Sequence, residues 1–258
     1  MSSPYKGSAG SGWKKTTERL VRVHPLSPGT IRESALSAWT ALWQTTVGAK
    51  RSSIKLSELA VPATVVGYMF EVLFTREIER AFPGKWRRGR AGNEKDLVCL
   101  SDNAKSVEIK TSGQKAFRIY GNRSYAQKGS GTRGAKKAKS GFYITVNFLG
   151  QTVTLLRFGW IDNSDWKPQR SPTGQMAGLA EAAYRYKLLE IPGEYRKKTP
   201  VVLLKGVGQK TEDEFLDHGI TTVADLLRAG ADLPKKLKRI IEQNRSLLEG
   251  CSDASIDE

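Results

Sequence analysis

Gly92-Asn93-Glu94-Lys95-Asp96-Leu97-Val98-Cys99-Leu100, a short turn, and then Ser106-Val107-Glu108-Ile109-Lys110-Thr111 form the stretch whose reading decides the fold. Each half is a short apolar run bounded by turn residues, and the two read as strands joined in a hairpin. Asp96 stands at the start of the first strand. Glu108 and Lys110 lie two apart on the second, so they share a face at roughly 6.6 Å from one another along the chain. One face of one hairpin can therefore hold two carboxylates and a lysine, the minimum apparatus for metal-assisted cleavage of a phosphodiester. Asp96 and Glu108 are the candidate metal ligands. Their hard oxygens select Mg²⁺, and no histidine or cysteine stands by to draw zinc. Such an ion activates water and offsets charge on the scissile phosphate. Lys110 beside it can orient that water and stabilise developing negative charge. Taken alone, Asp-x(11)-Glu-x-Lys describes a solvated strand face better than a site. Glu94, two residues before Asp96, and Asp102, in the turn, are set aside as ligands.

Glu71 strengthens the site reading. Upstream of the hairpin the sequence predicts helices over 13–23, 30–47 and 62–81, the last stopped by Phe82-Pro83-Gly84. On the third helix Glu71 is ringed at helical spacing by Gly67, Tyr68, Phe74, Thr75 and Ile78, so it interrupts an otherwise buried stripe. A buried carboxylate needs a cation or donors. A metal or Lys110 would satisfy it; the plainer alternative is a partly exposed carboxylate beside Arg76 or Arg80.

Downstream, strands are expected over 116–120, 142–148 and 152–160, and a helix over 176–189. Helices first, consecutive strands next and helices last give an α+β class, or α/β with a mixed central sheet flanked by helices. Ile191-Pro192-Gly193 and Arg196-Lys197-Lys198-Thr199-Pro200 mark a boundary between residues 1–195 and a small helical domain over 196–258, whose tail from Ser252 is expected to be disordered.

The 258 residues carry a net charge of +16, but residues 196–258 hold 11 basic and 11 acidic side chains. The whole excess thus lies with the hairpin, where it favours a polyanion, nucleic acid before an anionic membrane surface. No apolar run is long enough to span a bilayer, and the first twelve residues do not read as a secretory signal. Two cysteines far apart fit a reducing, cytoplasmic setting. His24 and His218 follow no ligand pattern.

The Gly/Lys-rich segment over 128–139 lacks the Gly-Lys-Ser/Thr of a phosphate-binding loop, which excludes a nucleotide cofactor there. It reads instead as a basic arm for DNA backbone, with Lys128, Arg133, Lys136 and Lys137 as contacts. Arg118, Asn122, Arg123 and Gln127 are the chemical types that read base edges. Near the C-terminus, Lys205-Gly206-Val207-Gly208-Gln209-Lys210-Thr211 resembles a helix-hairpin-helix module, in which a tight glycine turn opens a helix toward a phosphate. Lys205, Gly206, Gly208, Lys210 and Thr211 are its candidate DNA contacts; a protein contact is the alternative.

Glu71, Asp96, Glu108 and Lys110 together resemble, in order, the four signature positions of the PD-(D/E)XK nuclease superfamily, with Lys95 where the motif has proline. Within it, the chain resembles type II restriction endonucleases of the ScaI-like family. That likeness is carried by Ser3-Pro4-Tyr5, His24-Pro25-Leu26, Glu108-Ile109-Lys110-Thr111, Gly121-Asn122-Arg123-Ser124-Tyr125-Ala126, Gly159-Trp160-Ile161-Asp162 with Asp165-Trp166, and Thr173-Gly174-Gln175-Met176-Ala177. The resemblance implies a homodimer acting on a short palindromic duplex site and cutting each strand to leave 5′-phosphate and 3′-hydroxyl ends. Asp96 and Glu108 would hold Mg²⁺, Lys110 would orient water, and Glu71 would support a second metal or Lys110. Two other readings use the same residues. One is a structure-selective repair nuclease or junction resolvase; the other is a DNA-binding protein without catalysis.

Overall fold

The computed structural model describes residues 2–122, 138–168, 176–229 and 233–251. Three helices lead, α1 (Ser11–Arg22), α2 (Pro28–Gln44) and α3 (Ala63–Ala81). Ser27 starts α2 by accepting the Thr30 N–H, with Pro28 in the first turn where its missing donor costs nothing. A small hairpin, β1 (Thr46–Val47) with β2 (Ile54–Lys55), separates α2 from α3.

The strands that follow are β3 (Trp86–Arg88), β4 (Leu97–Cys99), β5 (Val107–Ser112), β6 (Tyr120–Asn122), β7 (Gly141–Leu149), β8 (Thr152–Ile161), β9 (Trp166–Pro168), β10 (Met176–Leu179) and β11 (Leu188–Ile191). Six of them form a mixed sheet in the order β11-β8-β7-β5-β4-β3, in which β5 and β7 run parallel and the other neighbours antiparallel. The remaining three make a small antiparallel sheet, β6-β10-β9.

Register divides the large sheet into two unlike faces. Val107, Ile109, Phe142, Ile144, Val146, Phe158 and Trp160 alternate onto one face and pack with Val21, Ile31, Trp39, Phe70 and Phe74 of the three helices. The other face carries Glu108 and Lys110, paired across to Tyr143 and Thr145, and beyond them Gly159 and Arg157. The small sheet sits over part of this polar face, where Ile119, Tyr143, Trp166, Leu179 and Leu188 share a second core. β7 is buried from Gly141 to Phe148, as a strand covered on both sides must be.

Three expectations are corrected. Residues 176–189 are not a helix: Met176–Leu179 is a strand, Ala183–Lys187 a single π turn, and Leu188–Ile191 the edge strand β11. The helix-forming composition of this stretch is overridden by pairing on both sides, with β6 and β9 at one end and β8 at the other. Residues 116–120 are not a strand either. Lys115–Phe117 is a tight turn, and pairing begins only at Tyr120. The second helix ends at Gln44, three residues short of its predicted stop, where the chain turns into β1.

Four short helices follow, α4 (Gln209–Asp217), α5 (Val223–Ala229), α6 (Lys235–Gln243) and α7 (Arg245–Glu249), around a core of their own made by Val201, Leu204, Phe215, Val223, Leu226, Leu237 and Ile240. Gly206, at φ +89°, turns the chain into α4; a side chain there would strike Gln243 and Ile240 of α6.

Candidate active site

The catalytic-looking hairpin forms as read, with Leu97 paired to Val107. Extending that antiparallel register by one residue puts Asp96 opposite Glu108 on the polar face. Its turn is pinned from several sides. Asp102 caps the 3-10 turn Asn103–Lys105 through the Ala104 N–H (2.9 Å), and the Cys99 N–H donates to Ser106 Oγ (3.1 Å). His24 Nδ1 accepts from the Leu26 N–H, which leaves its proton on Nε2 to donate to the Lys105 carbonyl at 2.9 Å. Burial pushes this imidazole down to about 4, so it is neutral at pH 7.

Asp96 Oδ2 accepts the Ile109 N–H at 2.8 Å, which ties the carboxylate to the second strand. Glu108 is 1% exposed, with Oε1 2.6 Å from Lys110 Nζ. Lys110 Nζ also donates to the Ile109 carbonyl at 3.1 Å and lies 3.8 Å from Asp96 Oδ2. Asp96, Glu108 and Lys110 thus converge, with the ammonium between the two carboxylates. Burial alone would lower the Lys110 pKa, but the charges of Glu108 and Asp96 outweigh it and hold the amine above its usual range. Lys110 is therefore a fixed cation at neutral pH, suited to stabilising negative charge and unsuited to accepting a proton.

Glu71 joins from α3. Gly67, one turn earlier, lies so close to Thr111 that any side chain would collide, and this lets the helix approach β5. Burial raises the Glu71 carboxyl pKa, and the charge of Asp96 adds to it; Arg88 and Lys110 oppose both. Its direct partner is Arg88 on β3, at 3.4 Å, rather than Arg76 or Arg80. The expected buried stripe is incomplete, because Tyr68 is 61% exposed and stacks on Arg88.

Two residues escaped the sequence reading. Lys95, just before Asp96, places Nζ 3.8 Å from Glu108 Oε2 and over the Tyr143 ring. Arg88 lies in the cationic run Lys85-Trp86-Arg87-Arg88-Gly89-Arg90; its meeting with Glu71 depends on β3 pairing with β4. Glu94 and Asp102 do other work, Glu94 by pairing with Arg87 and capping the Arg90 and Ala91 N–H groups.

Among the described residues no group of three or more His, Cys, Asp or Glu is arranged to hold a metal. Mg²⁺ asks for less. It is held through one or two carboxylates and keeps water and substrate phosphate as its other ligands. Asp96, Glu108 and the Ile109 carbonyl are oxygens of the kind such an ion takes, and the Lys110 ammonium lies among them.

Of the candidate DNA contacts, Arg118 and Asn122 are exposed, at the start and end of the chain entering and forming β6. Arg123, Gln127, Lys128, Arg133, Lys136 and Lys137 lie outside the described residues. Lys205, Gly206, Gly208 and Lys210 are exposed around the start of α4, whereas Thr211 is buried and so removed from that surface. No helix among the described residues is long and apolar enough to cross a membrane.

Residues 3–192 match the family model of the ScaI restriction endonuclease. The chain is also 33% identical over 198 residues to the type II restriction enzyme ScaI of Streptomyces caespitosus, across 73% of this chain and 84% of that relative. With a mixed sheet flanked by helices, these likenesses define an enzyme of the type II site-specific deoxyribonuclease class. The chain belongs to the ScaI restriction endonuclease family.

Proposed function

We propose that this chain is a Mg²⁺-dependent endonuclease of the PD-(D/E)XK type that cuts both strands of duplex DNA at a short palindromic site. The carrying observation is the convergence of Asp96, Glu108 and Lys110 on one hairpin face, with Lys110 held as a cation. Asp96 and Glu108 would hold the ion. When bound, Mg²⁺ would supply an activated water and offset charge on the scissile phosphate. Asp96 is fixed for this by the Ile109 N–H, and Glu108 by lysines at both of its oxygens. Lys110 donates to the attacking water or a phosphate oxygen as negative charge builds. Glu71 sets the local field and keeps Arg88 at the rim. Hydrolysis by this route leaves 5′-phosphate and 3′-hydroxyl ends.

Residues 1–195 form the nuclease and recognition unit in this reading. Residues 196–258 form a helix-hairpin-helix-like unit that grips DNA backbone through Lys205, the Gly206–Gly208 turn and Lys210. A homodimer matches the two-fold symmetry of a palindromic site. Cys99 and Cys251, both free thiols, fit action in the cytoplasm. Incubation of the purified protein with phage DNA and Mg²⁺, followed by sequencing of fragment ends, tests the proposal. Discrete fragments with one shared end sequence and 5′-phosphates are expected. Cutting confined to branched DNA, or none, contradicts it.

A further inference from the structure

We propose that Asn147, Arg157 and Tyr184 are positioning residues for DNA recognition, clamping backbone 117–119 so that Arg118 and β6 meet the duplex in one fixed geometry. The inference rests on the endonuclease reading. Ala116 and Phe117 have φ of 76° and 51°, two consecutive non-glycine residues in the left-handed region. Each is strained there and persists only where surrounding contacts impose it. Those contacts are present at Phe117 and at the next two backbone positions. Arg157 Nη1 donates to the Phe117 carbonyl (3.3 Å), and Asn147 Nδ2 donates to the Arg118 carbonyl (3.0 Å). Tyr184 Oη accepts the Ile119 N–H (2.8 Å) and donates to the Ile119 carbonyl (3.3 Å).

The clamp is itself braced. Arg157 Nη1 also donates to Asn147 Oδ1 at 2.9 Å, and its guanidinium lies over the Tyr184 ring. Arg157 is 5% exposed, and Glu190 approaches its Nε at 3.9 Å. Burying a guanidinium and an amide in a sheet is a poor route to stability when apolar side chains would fill the space. It is a good route to fixing carbonyls in space. The location fits that purpose: β-pairing aligns Lys110 with Thr145 and Thr145 with Arg157, so the clamp is built on the face that carries Lys110. What it presents is an exposed Arg118 guanidinium beside an open pocket of about 190 Å³ whose lining includes Tyr120, Lys167 and Tyr184. A base-edge contact discriminates between base pairs when its donors are held in place.

Tyr184→Phe removes one hydroxyl and Asn147→Ala one amide, and thermal melting shows which variant remains folded. Sites are first mapped for wild type on phage DNA, and kinetics are then measured on a duplex carrying the mapped site. The folded Tyr184→Phe protein is expected to raise KM about tenfold, leave kcat within about twofold, and add cuts at sites one base pair removed from the mapped one. Asn147→Ala should change the same parameters in the same direction. A folded Tyr184→Phe enzyme with wild-type KM and fragment pattern overturns the positioning role. So does a lowered kcat with an unchanged pattern. Failure of the wild type to cut at discrete sites instead overturns the endonuclease reading.

Discussion

Two places among the described residues gather a lysine between two carboxylates, and they are built for opposite ends. At the β8–β9 corner, Lys187 Nζ lies 2.9 Å from Asp162 Oδ2 and 2.9 Å from both oxygens of Asp165. Every neighbour tightens the group. Ser3 Oγ and Trp160 Nε1 donate to Asp162, the Asp162 N–H donates to Asp165, and the ammonium lies against the rings of Tyr5 and Trp13. This ties the N-terminal residues to the sheet. In the hairpin trio Lys110 touches Glu108 at 2.6 Å but stands 3.8 Å from Asp96, and its side chain is 19% exposed against 4% for Lys187. Charges saturated and walled in by aromatic rings make a lock. Charges gathered with one long arm and a path to solvent can exchange partners for an ion, a water or a phosphate.

Substitutions should separate the two. The largest effect is expected for Lys110→Ala, which should lower Mg²⁺-dependent cleavage by about a thousandfold, with a smaller loss of stability than Lys187→Met because Lys95 still faces Glu108 and the Ile109 N–H still holds Asp96. Lys187→Met should do the reverse. It strands two buried carboxylates and should cost about 3–5 kcal/mol in urea unfolding, with cleavage per folded molecule retained. Equal stability losses in both variants would erase the distinction. The hairpin region should also be the acid-sensitive one. The unfolded chain protonates His24 below pH 6.5, but the native imidazole stays neutral down to about pH 4 because burial disfavours the charge. Stability is therefore full above pH 6.5 and falls as pH drops across that window, by about 3 kcal/mol in total. His24→Gln should flatten that segment of a pH–stability curve. The smallest effect belongs to Glu94→Gln, which should leave cleavage within about twofold because its half-buried pair with Arg87 stands apart from the contacts among Asp96, Glu108 and Lys110.

The hairpin and its trio were legible because they rest on local signals: bounded apolar runs, a turn and a two-residue alternation. α3 was legible for the same reason, with Phe82-Pro83-Gly84 closing it. What escaped depends on pairing between distant segments. Arg88 reaches Glu71 only once β3 docks on β4, and Lys95 reaches Glu108 only once the loop before β4 folds back. Residues 176–189 misled because alanine, glutamate and leucine favour helix in isolation, whereas three strands and a sheet edge claim the segment. Asp162 and Asp165, prominent in the family likeness, could equally have been read as ligands; only their saturation by Lys187 shows a tie. The turn at Ala116–Phe117 had no sequence signal, since neither residue is a usual left-handed one.

The central claim is that Asp96 holds the ion for cleavage and is not needed to grip the duplex. Asp96→Ala, assayed beside wild type for duplex binding without Mg²⁺ and for cutting with it, tests this most directly. Binding within a few-fold of wild type with no detectable cutting is the predicted result. Cutting at the wild-type rate would contradict the account.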